Sequence, residues 1–524
     1  MTDTAEPQTQ PSQQNAQAQQ PQQSKHMMTP REKKWIVYDV GNSAFVLLST
    51  AVVPIYANSL LKAAGETNIV STWGYAQTIA SLVIAVLMPL LGSIADVQGM
   101  KIRFFTGFFL TGVVMCCAMA MPLGWLAFII VYVLATIGLN GSLTFYDSML
   151  VDTTSNERMD RISSHGYAWG YIGSTVPFIV CIALIFGGPA LFGWSTTACT
   201  RASFVITALW WVAFTIPLLT SYKQVHYRAT AGQAGEAIRG TFAELGSTFR
   251  AIRKNKPLWM FMIAFFFYID AVNTVISMST SYGTQLGIDS TQLVVALLVT
   301  QFVAFPCSII YGKLAGRFGS KTMITAAVVA YMCIVFFAAF FLRAALEFWI
   351  LAILVGMFQG GIQALSRSYY GKIIPKDHAN EYYGFYDIFG KTASIIGTFL
   401  VATTTSLTGN ASIGVLSIAI LLAVALVFLL LQKDPTQGFD GSRNRRLTAA
   451  VRQRSARQQS LDSIPPDNRR SAECAVPACG KPRRPAQLRQ LPSGMLYWHR
   501  LHTVAQRSAA PAMTQREVND VIGK

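Results

Sequence analysis

Runs of roughly twenty apolar residues recur from Trp35 to Leu431, separated by short polar breaks, and no other feature constrains the fold as strongly. Inside a bilayer every backbone N–H and C=O must find a partner within the chain, so only helices or closed barrels can span it. Strands of alternating polarity are not seen, which disfavours a barrel. With 52% of its 524 residues hydrophobic and 13% charged, the chain has lipid as its implied solvent. The spacing predicts an all-α membrane protein of about twelve transmembrane helices. The spans fall at 33–60, 70–95, 103–121, 125–148, 163–187, 202–222, 257–285, 290–315, 321–343, 346–372, 380–406 and 411–431. Their ends are placed to within about 2–4 residues.

The position of the charges orients the chain. The net charge of +17 would raise nucleic acid as a partner for a soluble protein, but here the basic residues mark one set of loops, and no nucleic-acid partner is expected. Lys101, Arg103, Arg158, Arg161, Arg250, Arg253, Lys254, Lys256, Lys313, Arg317, Lys321, Lys372 and Lys376 fall on one side, against Lys62, Arg201 and Arg343 on the other. The positive-inside rule makes the first side cytoplasmic and puts both termini there, as in a multi-pass protein of a bacterial cell membrane. The Gln-rich first thirty residues hold no apolar run, so no cleavable signal peptide is expected. From 434 to 524 apolar periodicity is lost, and the basic, Arg- and Pro-rich tail is expected to be disordered.

The longest internal break, 223–256, is polar and basic, with a helical period at Ile238, Phe242, Leu245 and Phe249. It reads as a cytoplasmic linker between six-helix bundles at 31–222 and 257–433. Parallel repeats between the halves support this division. Asp39-Val-Gly-Asn42-Ser43 in the first span matches Asp270-Ala-Val-Asn273-Thr274 in the seventh. Gly92-Ser-Ile-Ala-Asp96-Val-Gln-Gly99-Met-Lys101 aligns without a gap to Gly312-Lys-Leu-Ala-Gly316-Arg317-Phe-Gly319-Ser-Lys321. Phe145-Tyr146 and Gly166-Tyr167 answer more weakly to Tyr369-Tyr370 and Gly384-Phe385.

The loop beginning at Gly92 resembles the signature Gly-x-x-x-Asp-Arg-x-Gly-Arg-Lys of the major facilitator superfamily. Val97 and Met100 replace bases of that pattern, and Gly316 replaces the acid in the second copy. The resemblance implies that Gly92, Asp96, Gly99 and Lys101, with Gly312, Arg317 and Gly319, form an asymmetric pair of gating latches. A closer resemblance, to the autophagy-related vacuolar effluxer family, runs from Trp35 to about Leu431. It is carried by Tyr38-Asp39-Val-Gly-Asn42-Ser43-Ala44-Phe45, Phe145-Tyr146-Asp147-Ser-Met-Leu-Val-Asp152, Gln359-Gly-Gly-Ile-Gln363-Ala-Leu-Ser366-Arg367-Ser and Gly384-Phe385-Tyr386-Asp387-Ile-Phe-Gly390-Lys391. This implies secondary transport, with amino acid export from the vacuole as the described role of the eukaryotic members.

An ionised side chain in mid-helix costs at least ~2.5–3.5 kcal/mol, so each needs a partner or a wet cavity. Asp39, Asn42, Asp270, Asn273 and Gln363 predict a polar central cavity for a small polar solute, with the acids as substrate contacts or proton carriers. Asp387 and Lys391, four apart on one helix, either pair with each other or join that cavity. Arg367 and Asp147 lie near span ends, where they either snorkel to the headgroups or pair as a gate, Asp152 belonging to the same end. Opposite charges would suit the carboxylate and ammonium of an amino acid. The same groups would serve proton symport or antiport. Neither a phosphate loop nor His-Glu-x-x-His is present, and the Cys474–Cys479 pair lacks further ligands. No catalytic residue, metal or cofactor is therefore expected. A lipid or drug exporter, and a membrane receptor or enzyme, are the alternative readings.

Overall fold

The computed structural model describes residues 27–66, 69–228, 245–285, 287–393 and 395–438. The Gln-rich start up to residue 26, most of the basic tail with its cysteine pair, and the linker positions Ile238 and Phe242 lie outside the described residues.

The chain runs α1 (Pro30–Ala51), α2 (Val53–Ala63), α3 (Ile69–Ala95), α4 (Met100–Ala118), α5 (Trp125–Ser148), α6 (Leu150–Thr153), α7 (Asn156–Phe192) and α8 (Thr196–Leu219). After α9 (residues 245–254) come α10 (Lys256–Gln285), α11 (Ser290–Phe318), α12 (Ser320–Phe340), α13 (Ala345–Ile373), α14 (Ala379–Thr392), α15 (Ile395–Thr408), α16 (Ala411–Leu416) and α17 (Ile418–Leu431). Eleven of the described helices are long and apolar enough to cross a membrane, or twelve if the bent pair α1 and α2 makes one span. Side chains such as Phe186, Leu191, Phe399 and Leu407 stay exposed along their flanks, as lipid contact requires.

Three spans depart from straight helices. α1 opens with a reciprocal cap, in which Thr29 Oγ1 accepts from the Glu32 N–H and Glu32 Oε2 from the Thr29 N–H. Its axis then turns by 41° into α2. Pro54, in the first turn of α2, has no N–H to continue the ladder across that joint. The eleventh span, expected at 380–406, is interrupted between α14 and α15, and the twelfth between α16 and α17.

Corresponding bonds tie together the same helices in each half. Tyr38 of α1 meets Ser142 of α5 at 2.8 Å between hydroxyl oxygens, and Tyr268 of α10 meets Ser366 of α13 at 2.6 Å. The halves join where α3 packs on α14 and α7 packs on α11 and α13. Glycine permits the closest of these crossings. A Cβ on Gly384 would stand 2.8 Å from the backbone of Met88 and Pro89, and one on Gly92 only 2.6 Å from the Asn380 carbonyl oxygen.

Candidate functional site

The centre of the inter-half contact is a guanidinium. Arg367 of α13 is 2% exposed, so it does not snorkel. Its Nη1 donates to Asp147 Oδ1 at 2.9 Å and its Nη2 reaches Asp39 Oδ2 at 3.4 Å. Nε donates to Ser163 Oγ at 2.9 Å, and Nη2 also to the Ser163 carbonyl at 3.1 Å. Asp39, Asp147 and Ser163 belong to α1, α5 and α7, so a base from the second half is held entirely by the first.

Aromatic rings close the cluster. The guanidinium lies 4.4, 4.8 and 5.5 Å from the ring centroids of Tyr167, Trp35 and Tyr146, and Trp35 stacks on Tyr146. Tyr146 Oη donates to Asp39 Oδ2 at 2.8 Å, and Asn42 Nδ2 to Asp39 Oδ1 at 3.4 Å. Gly166 of α7 makes room: a Cβ there would collide with Asp39 Oδ2 and lie 3.0 Å from Arg367 Nη2. Two carboxylates against one guanidinium leave one surplus negative charge when all three are ionised.

The remaining polar residues take different places. Asp387 does not pair with Lys391 but accepts from the Thr144 hydroxyl of α5, adding another link between halves. Gln363 Oε1 accepts from Tyr171 Oη at 3.0 Å. Asp270, aligned in sequence with Asp39, sits wholly inside the second half, where its Oδ1 accepts from the Gly397 N–H at 3.0 Å and from Thr274 Oγ1 at 3.3 Å. It thereby serves the exposed N-terminus of α15, the start of the half-helix after the break. Asn273 is half-buried and makes no side-chain hydrogen bond among the described residues.

Nearer the basic loops, two further contacts between the halves flank this cluster, at the positions where the sequence leads one to expect latches. In the first, Asp96 Oδ1 accepts from the backbone N–H and Nδ2 of Asn380 at 2.9 and 2.8 Å, and Oδ2 from the Glu381 N–H at 3.1 Å. An acid from the first half thus caps α14 of the second. Ser148 of α5 bonds the same Asn380. Burial pushes the Asp96 carboxyl up to about 7, against the pull of nearby Lys101 and of the two backbone donors.

Lys101 itself is paired at 2.7 Å with Asp152. Asp152 also accepts from Tyr222 Oη at 2.6 Å and from the backbone of Val225 and His226 at 3.1 and 2.8 Å. Gly99, at φ +74°, donates its N–H to Gln224 Oε1 at 2.9 Å, and the Arg228 N–H donates to the Asp96 carbonyl at 2.8 Å. The first residues of the expected linker are therefore bound to the latch loop.

The second contact uses an acid that the repeat does not contain. Gly316 has no carboxylate, and Arg317 is exposed beside the ring of Phe318. Asp160 of α7 supplies the charge instead: its Oδ2 accepts from Ser320 Oγ at 2.8 Å and from Lys372 Nζ, and its Oδ1 from Ser368 Oγ at 2.7 Å. Gly312 lets α11 reach α7, since a Cβ there would lie 2.6 Å from that of Ser164. Gly319, at φ +87°, turns the chain into α12. Asp160, a lone acid between Arg158 and Arg161, reads in sequence as an ordinary loop charge.

Residues 29–435 match the family described as "Vacuole effluxer Atg22 like". The chain belongs to this family. It is 45% identical over 415 residues to the "Uncharacterized MFS-type transporter YxiO" of Bacillus subtilis (strain 168), an alignment covering 78% of this chain and 96% of that protein. To "Autophagy-related protein 22-1" of Aspergillus niger it is 24% identical over 292 residues, covering 52% of this chain and 47% of the fungal protein. Among solved structures, the human organic anion transporter MFSD10 (TETRAN) superposes with a TM-score of 0.57 at 13% identity, covering 76% of this chain and all of that one. The Escherichia coli fucose:proton symporter FucP gives 0.55 at 15%, covering 77% and 97%. The fold is thus that of the major facilitator superfamily, and this Atg22-like protein is a multi-pass membrane transporter, not an enzyme.

Proposed function

We propose that this protein is a secondary active transporter that exports or exchanges a small polar solute, an amino acid first among the candidates, by rocking its two bundles about a central site. The single observation that carries this reading is the Arg367 cluster, a buried base of one half neutralised by Asp39 and Asp147 of the other. Breaking a buried ion pair is costly unless something replaces the lost partner. A zwitterionic cargo supplies both signs: its carboxylate answers Arg367 and its ammonium answers Asp39 or Asp147. The surplus negative charge supports a second element, a coupling proton that joins the cargo in neutralising the cluster. The latches at Asp96 and Asp160 lie on the side bearing the basic loops, which supports a cytoplasm-closed arrangement here and a cytoplasmic position for both termini.

A lipophilic cargo has one observation in its favour, a mainly apolar cavity of about 60 Å³ lined by Val275, Ile276, Leu293, Phe348, Leu351 and Gln359. It lies within the second half, away from the charges that alternation must separate.

Counterflow of labelled amino acids in proteoliposomes, with and without an imposed pH gradient, tests the proposal. Gradient-dependent exchange of one class, lost on Arg367→Met, is expected. A flat response across the panel from folded protein would overturn the amino acid assignment.

A further inference from the structure

We propose that Asp96, His378 and Glu381 form a binding site for a divalent transition-type cation, Zn²⁺ or Mn²⁺, which clamps the two halves together beside the first latch. Glu381 is fully buried, and neither of its carboxylate oxygens has a hydrogen-bond partner among the described residues. A buried carboxylate in this condition is costly unless paired or bound to a metal. His378 Nδ1 stands 3.7 Å from Glu381 Oε2, an ion pair when the imidazole is protonated but too long for a good hydrogen bond. One ligand atom from each of Asp96, His378 and Glu381 lies within 4.8 Å of the others. Two ligands of one ion, with bonds of ~2.1 Å, stand roughly 3 to 3.4 Å apart, so the three side chains draw together to close the site.

The donor set selects the ion. An imidazole with two carboxylates suits Zn²⁺ or Mn²⁺, whereas Mg²⁺ and Ca²⁺ prefer oxygen alone. Lys101, a neighbouring cation, is ion-paired with Asp152 rather than with Asp96 or Glu381. The His378 side chain is 38% exposed, which gives the ion a way in, while Asp96 and Glu381 hold it from beneath.

The ligands come from both halves, Asp96 from the end of α3 and His378 and Glu381 from the start of α14. The complete site exists only while the halves touch there, so an ion bound to it favours that closed state by mass action. Free metal on the basic side would then slow the carrier without entering the transport route.

The test is an equilibrium titration of the detergent-purified full-length protein with ZnCl₂ and, separately, MnCl₂. Wild type is expected to bind one equivalent more than Glu381→Gln, and that ion should raise the Tm of wild type but not of the variant. His378→Gln, at a part-exposed position, should retain the fold and bind roughly tenfold more weakly or worse. His499, His502, Cys474 and Cys479 are present in all three proteins, so metal held by the tail cancels in the comparison. Equal stoichiometry and affinity in wild type and both variants, each monodisperse, would overturn the site.

Discussion

Arg367 of the second half stands 2.9 Å from Asp147 and 3.4 Å from Asp39 of the first, so one side chain spans the plane along which the bundles must separate. Truncating it to Met strands two buried carboxylates. We expect a loss of about 3–5 kcal/mol in stability, read as a fall in Tm in detergent. Arg367→Lys keeps the charge but not the fork that serves Asp147, Asp39 and Ser163 together, and should fold while losing most exchange activity. Full exchange by Arg367→Lys would remove this cluster from the mechanism.

Gly166→Ala tests the cluster without altering its charges. The added methyl group meets Asp39 Oδ2 and crowds Arg367 Nη2 at 3.0 Å, so the ion pair must shift. Overpacking of this kind costs roughly 1–3 kcal/mol. Reduced exchange by a protein of near-normal expression is expected, and the counterflow assay above measures it.

The latches should respond separately. Asp96→Ala removes the cap on α14, and Asp160→Asn weakens the hold on Ser320, Ser368 and Lys372. Each should shift the population toward opening on the basic side. A cysteine introduced at Ser148, which faces Asn380 across the halves, in a background stripped of native cysteines, should label faster in either variant and fastest in the double. An unchanged labelling rate would show that these acids do not hold the gate.

Asp270 and Asp39 share a sequence pattern but not a setting, so their Asn variants should differ. Asp270→Asn keeps an oxygen for the Gly397 N–H and should cost no more than ~0.5–2 kcal/mol, the usual range for a weakened cap. Asp39→Asn leaves Arg367 with Asp147 alone and should abolish gradient-driven exchange. If both variants retain full coupled activity, neither acid carries the proton.

The sequence makes the membrane class and the division into two halves legible because both rest on long, repeated signals: apolar runs of fixed length and a ten-residue loop present twice. Asp96 and the Asp39–Asn42 pair are visible for the same reason. Asp160 and Glu381 are not. Each is a single acid near a span end, and what gives it meaning is its neighbours on the far half of the chain, such as Ser368 to Asp160 across 208 positions. Lys391 shows the opposite limit, since helical spacing leaves its pairing with Asp387 open and only packing shows the Thr144 hydroxyl bonded to Asp387. The joint at Val52 has Pro54 beside it as a marker, but no proline precedes the interruption before α15, where Asp270 stabilises the new helix start from another span.

The stacking of Trp35 beneath Arg367 has an optical consequence. An indole 4.8 Å from a full positive charge has its emission tuned by that charge, and any excursion of α13 away from α1 removes the perturbation. With the nine other tryptophans replaced, Trp35 would act as a built-in chromophore reporting in real time whether the guanidinium is docked. The carrier's turnover could then be followed by light, without a labelled cargo and before the cargo is known.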